Sequence, residues 1–103
     1  MAQCNVHGIK ITQTTTGRRV EGDTEFDVVI RNNCECPQFN VTLGCQGFST
    51  VELVDPKFFK ELGNGSCLVN SGHALAPRLP YRFRYAWHTP TALIPKSSTT
   101  RCA

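Results

Sequence analysis

The amino-acid sequence predicts an all-β fold: a small antiparallel β-sandwich of about seven or eight short strands, with three disulfides and one short helical turn. Apolar and polar residues alternate in short segments, which are separated by clusters of Gly, Pro, Asn and Asp. Six cysteines among 103 residues form an even set, which is typical of a small exported domain held by disulfides. Because no repeat or long linker divides the chain, we expect a single domain over residues 1–103.

The alternation is clearest over residues 25–31, where three apolar residues alternate with charged ones. Residues 16–19 are predicted to form a loop. Asp55 followed by Pro56 is a helix-start signal, so one or two helical turns are expected over residues 57–62. The predicted strands span residues 9–14, 25–31, 39–43, 49–54, 67–70, 81–87 and 97–102.

The cysteines indicate disulfides rather than a metal site. Structural zinc usually uses Cys-x-x-Cys pairs, whereas the closest pair here is Cys34 and Cys36, with one residue between them. The three histidines, His7, His73 and His88, are scattered along the chain. We therefore expect no metal, and six cysteines leave 15 possible disulfide pairings.

Strand direction narrows those pairings. If the first three strands run alternately up and down, three cysteines gather at one end of the sandwich: Cys4, Cys34 and Cys36. Cys45 then lies at the opposite end, and a last strand antiparallel to 81–87 would carry Cys102 there. This predicts a Cys45–Cys102 bridge. In the other two bridges, Cys4 and Cys67 each pair with one of Cys34 and Cys36, and which pairs with which stays open.

Composition excludes several classes of protein. The chain is 40% hydrophobic and 18% charged, and its net charge of +3 is too weak to indicate a nucleic-acid-binding protein. No apolar run approaches the roughly 20 residues that cross a bilayer. Glu25 and Asp27 share a strand face, but Arg31 continues that face, so we expect an exposed mixed-charge strand rather than a catalytic acid pair. The sequence predicts no catalytic residue, no cofactor and no enzyme.

Two further features fit export. Asn40 and Asn64 each begin an Asn-x-Ser/Thr triplet, so both are candidate glycosylation sites. Neither a basic nor an apolar leader segment follows Met1. We therefore expect the export signal to lie outside this sequence.

Several blocks of the chain carry a resemblance to a known family. The most specific are Cys-Leu-Val-Asn-x-Gly at residues 67–72 and Val-Asp-Pro at residues 54–56. Matching segments surround them: 9–13, 26–34, 41–50 and 83–86, with Cys4, Cys36 and Cys102. On these blocks the chain resembles the Tapetum Determinant family of small secreted plant proteins. The resemblance implies an apoplastic signalling ligand that binds the ectodomain of a leucine-rich-repeat receptor kinase and directs anther and tapetum cell fate.

A ligand of this kind needs a rigid scaffold and a few well-placed contact residues, often Arg or aromatic. The mild positive charge would speed its encounter with an acidic receptor surface. The candidate contact residues are Arg82, Arg84, Arg18, Arg19, Lys57 and Lys60.

The alternative is a carbohydrate-binding module of the plant cell wall, because the chain is also weakly similar to sandwich-type plant modules. Tyr81, Phe83, Tyr85 and Trp87 fall on one strand face at a spacing of about 6.6 Å. An exposed row of such rings could stack on sugars. Burial of Phe83 and Tyr85 would exclude this use of the row.

Overall fold

The computed structural model describes residues 4–102. They form seven β-strands and two single 3-10 turns, and none of their helices is long and apolar enough to cross a membrane. The strands are β1 Ile9–Val20, β2 Asp23–Asn32, β3 Gln38–Gly44, β4 Phe59–Gly63, β5 Ser66–Val69, β6 Tyr81–Trp87 and β7 Ile94–Thr100. The 3-10 turns are Val6–Gly8 and Asn70–Gly72.

The strands form two antiparallel sheets, one with the order β1-β2-β6 and the other with the order β4-β5-β3-β7. Apolar residues from both sheets form one core, and the ring of Phe59 on β4 stacks on that of Phe83 on β6 at 4.3 Å. The predicted all-β fold with antiparallel sheets is confirmed.

β1 is longer than predicted. The predicted loop over residues 16–19 is wrong, because β1 pairs with β2 again after a register shift, at Arg19 with Thr24. The turn that joins β1 to β2 consists of Glu21 and Gly22, whose φ angles are 49° and 85°. Two successive positive φ values define the tight hairpin turn whose twist matches that of antiparallel strands.

Two other predicted elements are absent. Residues 57–62 are not helical: the Asp55 side chain accepts a hydrogen bond from the Lys57 backbone N–H, at 2.9 Å, but the chain makes only a single turn there. β4 then begins at Phe59, because this side chain is buried in the core. Burial of one aromatic residue thus overrides a helix-start signal.

Residues 49–54 do not form a strand either. They lie along the free edge of β6, where the Val51 N–H donates to the Ala86 carbonyl at 2.9 Å. The Ala86 N–H in turn donates to the Thr50 hydroxyl at 3.0 Å. A side chain thus takes the place of a second backbone partner, which leaves this segment irregular.

The structure contains two disulfides rather than three: Cys36–Cys102 and Cys45–Cys67. The predicted Cys45–Cys102 bridge is wrong because β7 pairs with β3, not with β6. That pairing brings the end of β7 beside the start of β3, where Cys36 lies.

The pairing of β3 with β5 explains the second bridge. Leu43 lies opposite Cys67 in the sheet, so Cys45 can reach Cys67 with a Cα separation of 6.0 Å. Cys67 therefore bonds with neither Cys34 nor Cys36, and the remaining thiols, Cys4 and Cys34, are unpaired and partly buried.

Candidate functional site

The aromatic row of β6 belongs to the core. Tyr85 is fully buried and Phe83 is nearly so, which excludes this face as a platform for sugars. The Tyr85 hydroxyl donates to Gln13 Oε1 at 2.5 Å and accepts from the Thr91 N–H at 2.9 Å. Burial raises the pKa of Tyr85, so this residue is a neutral structural anchor.

The sequence predicted that Glu25 would be exposed, but this prediction is wrong: the side chain is buried, with 1% of its surface exposed. Its carboxylate accepts a hydrogen bond from the Thr16 hydroxyl at 2.7 Å and lies 3.5 Å from Arg18 Nε. The Glu52 side chain, contributed by the loop along β6, lies close enough to affect the pKa of Glu25, and its Oε1 atom is buried without a hydrogen-bond partner among the described residues. Sequence reasoning missed this pair because the two residues are 27 positions apart and only the course of the loop joins them.

The pKa values of the two carboxyls are shifted in opposite directions. The hydrogen bond from Thr16 is the main cause that lowers the pKa of Glu25, whereas burial is the main cause that raises the pKa of Glu52. Glu25 therefore loses its proton at a lower pH than Glu52 does. Because Glu25 is buried, its carboxylate is not accessible to a sugar.

One side of the sandwich exposes apolar side chains. The sheet edges β4 and β6 face each other there, and residues 45–58, the β3–β4 loop, run between them. Leu53 at the tip of this loop is 96% exposed, Phe58 is 51% exposed and Leu62 on β4 is 49% exposed. Exposed large apolar residues that lie together mark interaction sites more often than isolated ones do. We call this surface the β4–β6 side.

The β3–β4 loop encloses a groove on this side. The groove has a volume of about 330 Å³ and lies between the loop and β4. Its floor includes Phe48 and Phe59, which are part of the aromatic core, and Lys60 and Glu61 lie at its wall. An apolar floor with polar walls is suited to one apolar side chain of a partner.

The candidate contact residues divide into two groups. Lys57, Lys60 and Arg82 belong to the β4–β6 side, where Arg82 lines a small cavity together with Phe58. Across residues 4–102, none of these three cations has a carboxylate within 4.0 Å. They therefore keep their charge available for a partner.

The other three arginines already have partners. Arg84 pairs with Asp27 at 4.0 Å, Arg18 pairs with Glu25, and Arg19 donates to the Gly22 carbonyl at 3.0 Å. Arg18 and Arg19 lie on the part of β1 next to the hairpin turn. The six sequence-predicted contact residues thus divide into three with such a partner and three that have no carboxylate partner among residues 4–102.

Both candidate glycosylation residues are exposed. Asn40 and Asn64 have φ angles of 51° and 54°, and Asn64 forms the tip of the hairpin between β4 and β5. Asparagine tolerates this left-handed conformation better than most residues. Their modification stays a prediction.

A sandwich of two antiparallel sheets held by two disulfides defines a class of protein: a small disulfide-bonded all-β domain. The comparisons with known proteins specify the family. A family model described as "Tapetum determinant 1, C-terminal" matches residues 5–102. The chain belongs to this family, which confirms the resemblance seen in the sequence.

Two curated relatives support the assignment to this family. The chain is 34% identical over 85 residues to "TPD1 protein homolog 1" from Arabidopsis thaliana, covering 81% of this chain and 48% of the relative. It is 31% identical over 84 residues to "TPD1 protein homolog 1B" from Oryza sativa subsp. japonica, covering 81% and 50%. The chain thus spans about half the length of these two relatives. No solved structure matches it.

Proposed function

We propose that the protein is a secreted signalling ligand of the plant apoplast, which binds the ectodomain of a leucine-rich-repeat receptor kinase and directs anther and tapetum cell fate. Membership of the Tapetum determinant family carries this proposal. Two disulfides within 103 residues also suit the oxidising environment of an exported protein. No comparable observation favours a carbohydrate-binding module.

The β4–β6 side is the contact surface in this proposal. Tight interfaces depend on a few anchors near the centre of the contact, and Leu53 is nearly fully exposed beside a groove with an apolar floor. Leu53 would insert into the receptor, and the groove would accept a side chain from it. Lys57, Lys60 and Arg82 would steer the approach to an acidic receptor surface.

Several contacts restrain the β3–β4 loop on this side. The Asp55 turn is closed by the Lys57 N–H, and the Ser71 hydroxyl donates to the Lys57 carbonyl at 3.2 Å. The Cys45–Cys67 bridge holds the start of the β3–β4 loop against β5. A surface that is ordered in advance loses less conformational entropy on binding.

Binding to immobilised plant leucine-rich-repeat ectodomains tests the proposal. We expect the disulfide-intact protein to bind at least one ectodomain saturably and more weakly as salt increases. The matched control is the same protein after reduction and alkylation, which should not bind. A panel in which no ectodomain binds would overturn the ligand assignment, and equal binding by the reduced control would overturn the role of the disulfides.

A further inference from the structure

Four cysteines that are distant in the sequence meet at one end of the sandwich. Cys4 precedes β1, Cys34 follows β2, Cys36 precedes β3 and Cys102 follows β7. The Sγ atoms of Cys4, Cys36 and Cys102 all lie within 4.8 Å of one another. Because Cys36 and Cys102 are joined as a disulfide, this triangle places a thiol against a disulfide rather than forming a metal site.

The remaining cysteine, Cys34, lies beside the segment that carries Cys4, because its Sγ atom is 4.0 Å from the carbonyl oxygen of the next residue, Asn5. The backbone N–H of Cys34 donates to Asn32 Oδ1 at 3.0 Å, and a Cβ atom at Gly8 would lie only 2.6 Å from the Cys34 sulfur. The Cys34 sulfur can therefore occupy this position only because Gly8 has no side chain. Cys34 lies outside the triangle of sulfurs found among the described residues.

The two thiols differ in reactivity. A hydrogen bond from the Cys34 thiol is the main cause that lowers the pKa of Cys4, and the backbone of Cys36 and Glu35 adds further hydrogen bonds. Burial is the main cause that raises the pKa of Cys34. Since the thiolate is the attacking species, Cys4 is the nucleophile of the pair and Cys34 is the resolving thiol.

We propose that Cys4 and Cys34 are a redox-active dithiol, which closes to a third disulfide on oxidation by a low-molecular-weight disulfide and thereby protects the neighbouring Cys36–Cys102 bridge from exchange. The proposal does not depend on receptor binding. It assigns a modification site to the end of the sandwich where β2 and β7 end.

The closing reaction has two steps. The Cys4 thiolate attacks one sulfur of the oxidant, forms a mixed disulfide and releases one thiolate of the oxidant. The Cys34 thiolate then attacks the Cys4 sulfur, forms the Cys4–Cys34 bond and releases the second thiolate. Two electrons pass from the two cysteines to the oxidant, and two protons are released.

Without Cys34, the same nucleophile has another target. The Cys4 thiolate can attack Cys36 or Cys102, forming a new bond to that sulfur and releasing the other as a thiolate. This exchange needs no oxidant, because one disulfide replaces another. Cys34 has no equivalent access, since it lies outside the triangle.

Disulfide mapping of the full chain tests the closing reaction. The protein is incubated with oxidised glutathione, alkylated and digested without reduction, and its peptides are identified by mass spectrometry. We expect a peptide that joins Cys4 to Cys34, together with the Cys36–Cys102 and Cys45–Cys67 peptides. Cys4 and Cys34 that both remain alkylated, or that carry only glutathione, would overturn the proposal.

Two matched variants, C34S and C4S, test the protection. We expect C34S to yield Cys4–Cys36 or Cys4–Cys102 peptides, and C4S to retain only the original Cys36–Cys102 bridge. The Cys45–Cys67 peptide serves in both variants as an internal measure of correct folding. Absence of exchange from correctly folded C34S, or equal exchange in both variants, would contradict the arrangement of sulfurs described here.

Discussion

The two open sides of the sandwich differ in chemistry. The β4–β6 side exposes Leu53, Phe58 and Leu62 beside unpaired cations. On the opposite side, Ile94 of β7 is the one large apolar residue among the described residues that is exposed on the edge strands β1 and β7, and the other exposed residues there include Thr12, Thr14, Thr15, Thr16, Ser97 and Thr99. One side is suited to burial against a partner, whereas the other is suited to water.

The two sides also differ in how they are closed. On the β1–β7 side, Gln13 of β1 donates to the Thr91 carbonyl at 2.7 Å, and Tyr85 bonds to both residues. On the β4–β6 side, the Phe59 ring joins the sheets, because it stacks on Phe83 and meets Phe48 edge to face. The two sheets are thus joined mainly by hydrogen bonds on the polar side, and by packing of aromatic rings on the side proposed to bind a receptor.

Removal of the central aromatic ring should affect the β4–β6 side most. F59A leaves a cavity against Phe48 and Phe83, and we expect it to lower the free energy of unfolding by about 3–5 kcal/mol. The matched control L53A removes an exposed side chain of the same side and should change stability by less than about 0.5 kcal/mol. Urea denaturation measures both, and a similar loss for both variants would contradict the described packing.

Y85F tests the polar side by the same measurement. It leaves Gln13 and the buried Thr91 N–H without their shared partner, so we expect a loss of about 1–3 kcal/mol. Y81F is the control, because the Tyr81 hydroxyl makes longer bonds to the backbone of Ala74 and Ala76, at 3.3 and 3.2 Å. A Y85F protein as stable as Y81F would show that the hydrogen bonds do not hold this side closed.

The smallest effect concerns the pH dependence of the β3–β4 loop. Because the pKa of Glu52 is raised in the folded protein, the folded state binds the proton more tightly, and stability should fall as the pH rises from the ordinary glutamate value through the raised one. The lowered pKa of Glu25 has the opposite effect, since its contribution is lost as the pH falls through that lowered value. Stability should therefore be greatest between the two.

The other groups that act on this pair are the Thr16 hydroxyl and the guanidinium groups of Arg18 and Arg84. E52Q should abolish the decrease in stability on the high-pH side, while the control E61Q, at an exposed position on β4, should retain it. Thermal unfolding across the acidic range measures this difference. Parallel pH curves for the wild type and E52Q would refute the carboxyl pair.

The alternation of apolar and polar residues predicted the strands whose position depends on neighbouring residues alone. Alternation identified β2 and β6, because Phe26, Val28 and Phe83 fill one core face with period two. It failed at Asp55, where a real capping hydrogen bond is followed by a strand because Phe59 is buried. Long-range packing decides that outcome, and the sequence around Asp55 does not record it.

The disulfides and the candidate site also depend on long-range packing, which the local sequence does not record. Strand direction placed Cys4, Cys34 and Cys36 at one end, but it assigned the wrong neighbour to β7, and the Cys36–Cys102 bridge depends on that neighbour. The groove is defined by the course of the β3–β4 loop, which no periodic pattern describes. The basic residues were visible in the sequence, but which of them lie together and lack partners depends on the tertiary structure.

The most direct test of the account compares receptor binding by two matched variants. L53D places a charge on the β4–β6 side, and I94D places one at Ile94, which is 62% exposed on the edge strand β7. For the ectodomain that binds the wild-type protein, we expect L53D to weaken affinity at least about tenfold, equivalent to about 1.4 kcal/mol, and I94D to leave it nearly unchanged. Undiminished binding by L53D, or an equal loss in I94D, would contradict the assignment of the β4–β6 side as the receptor contact.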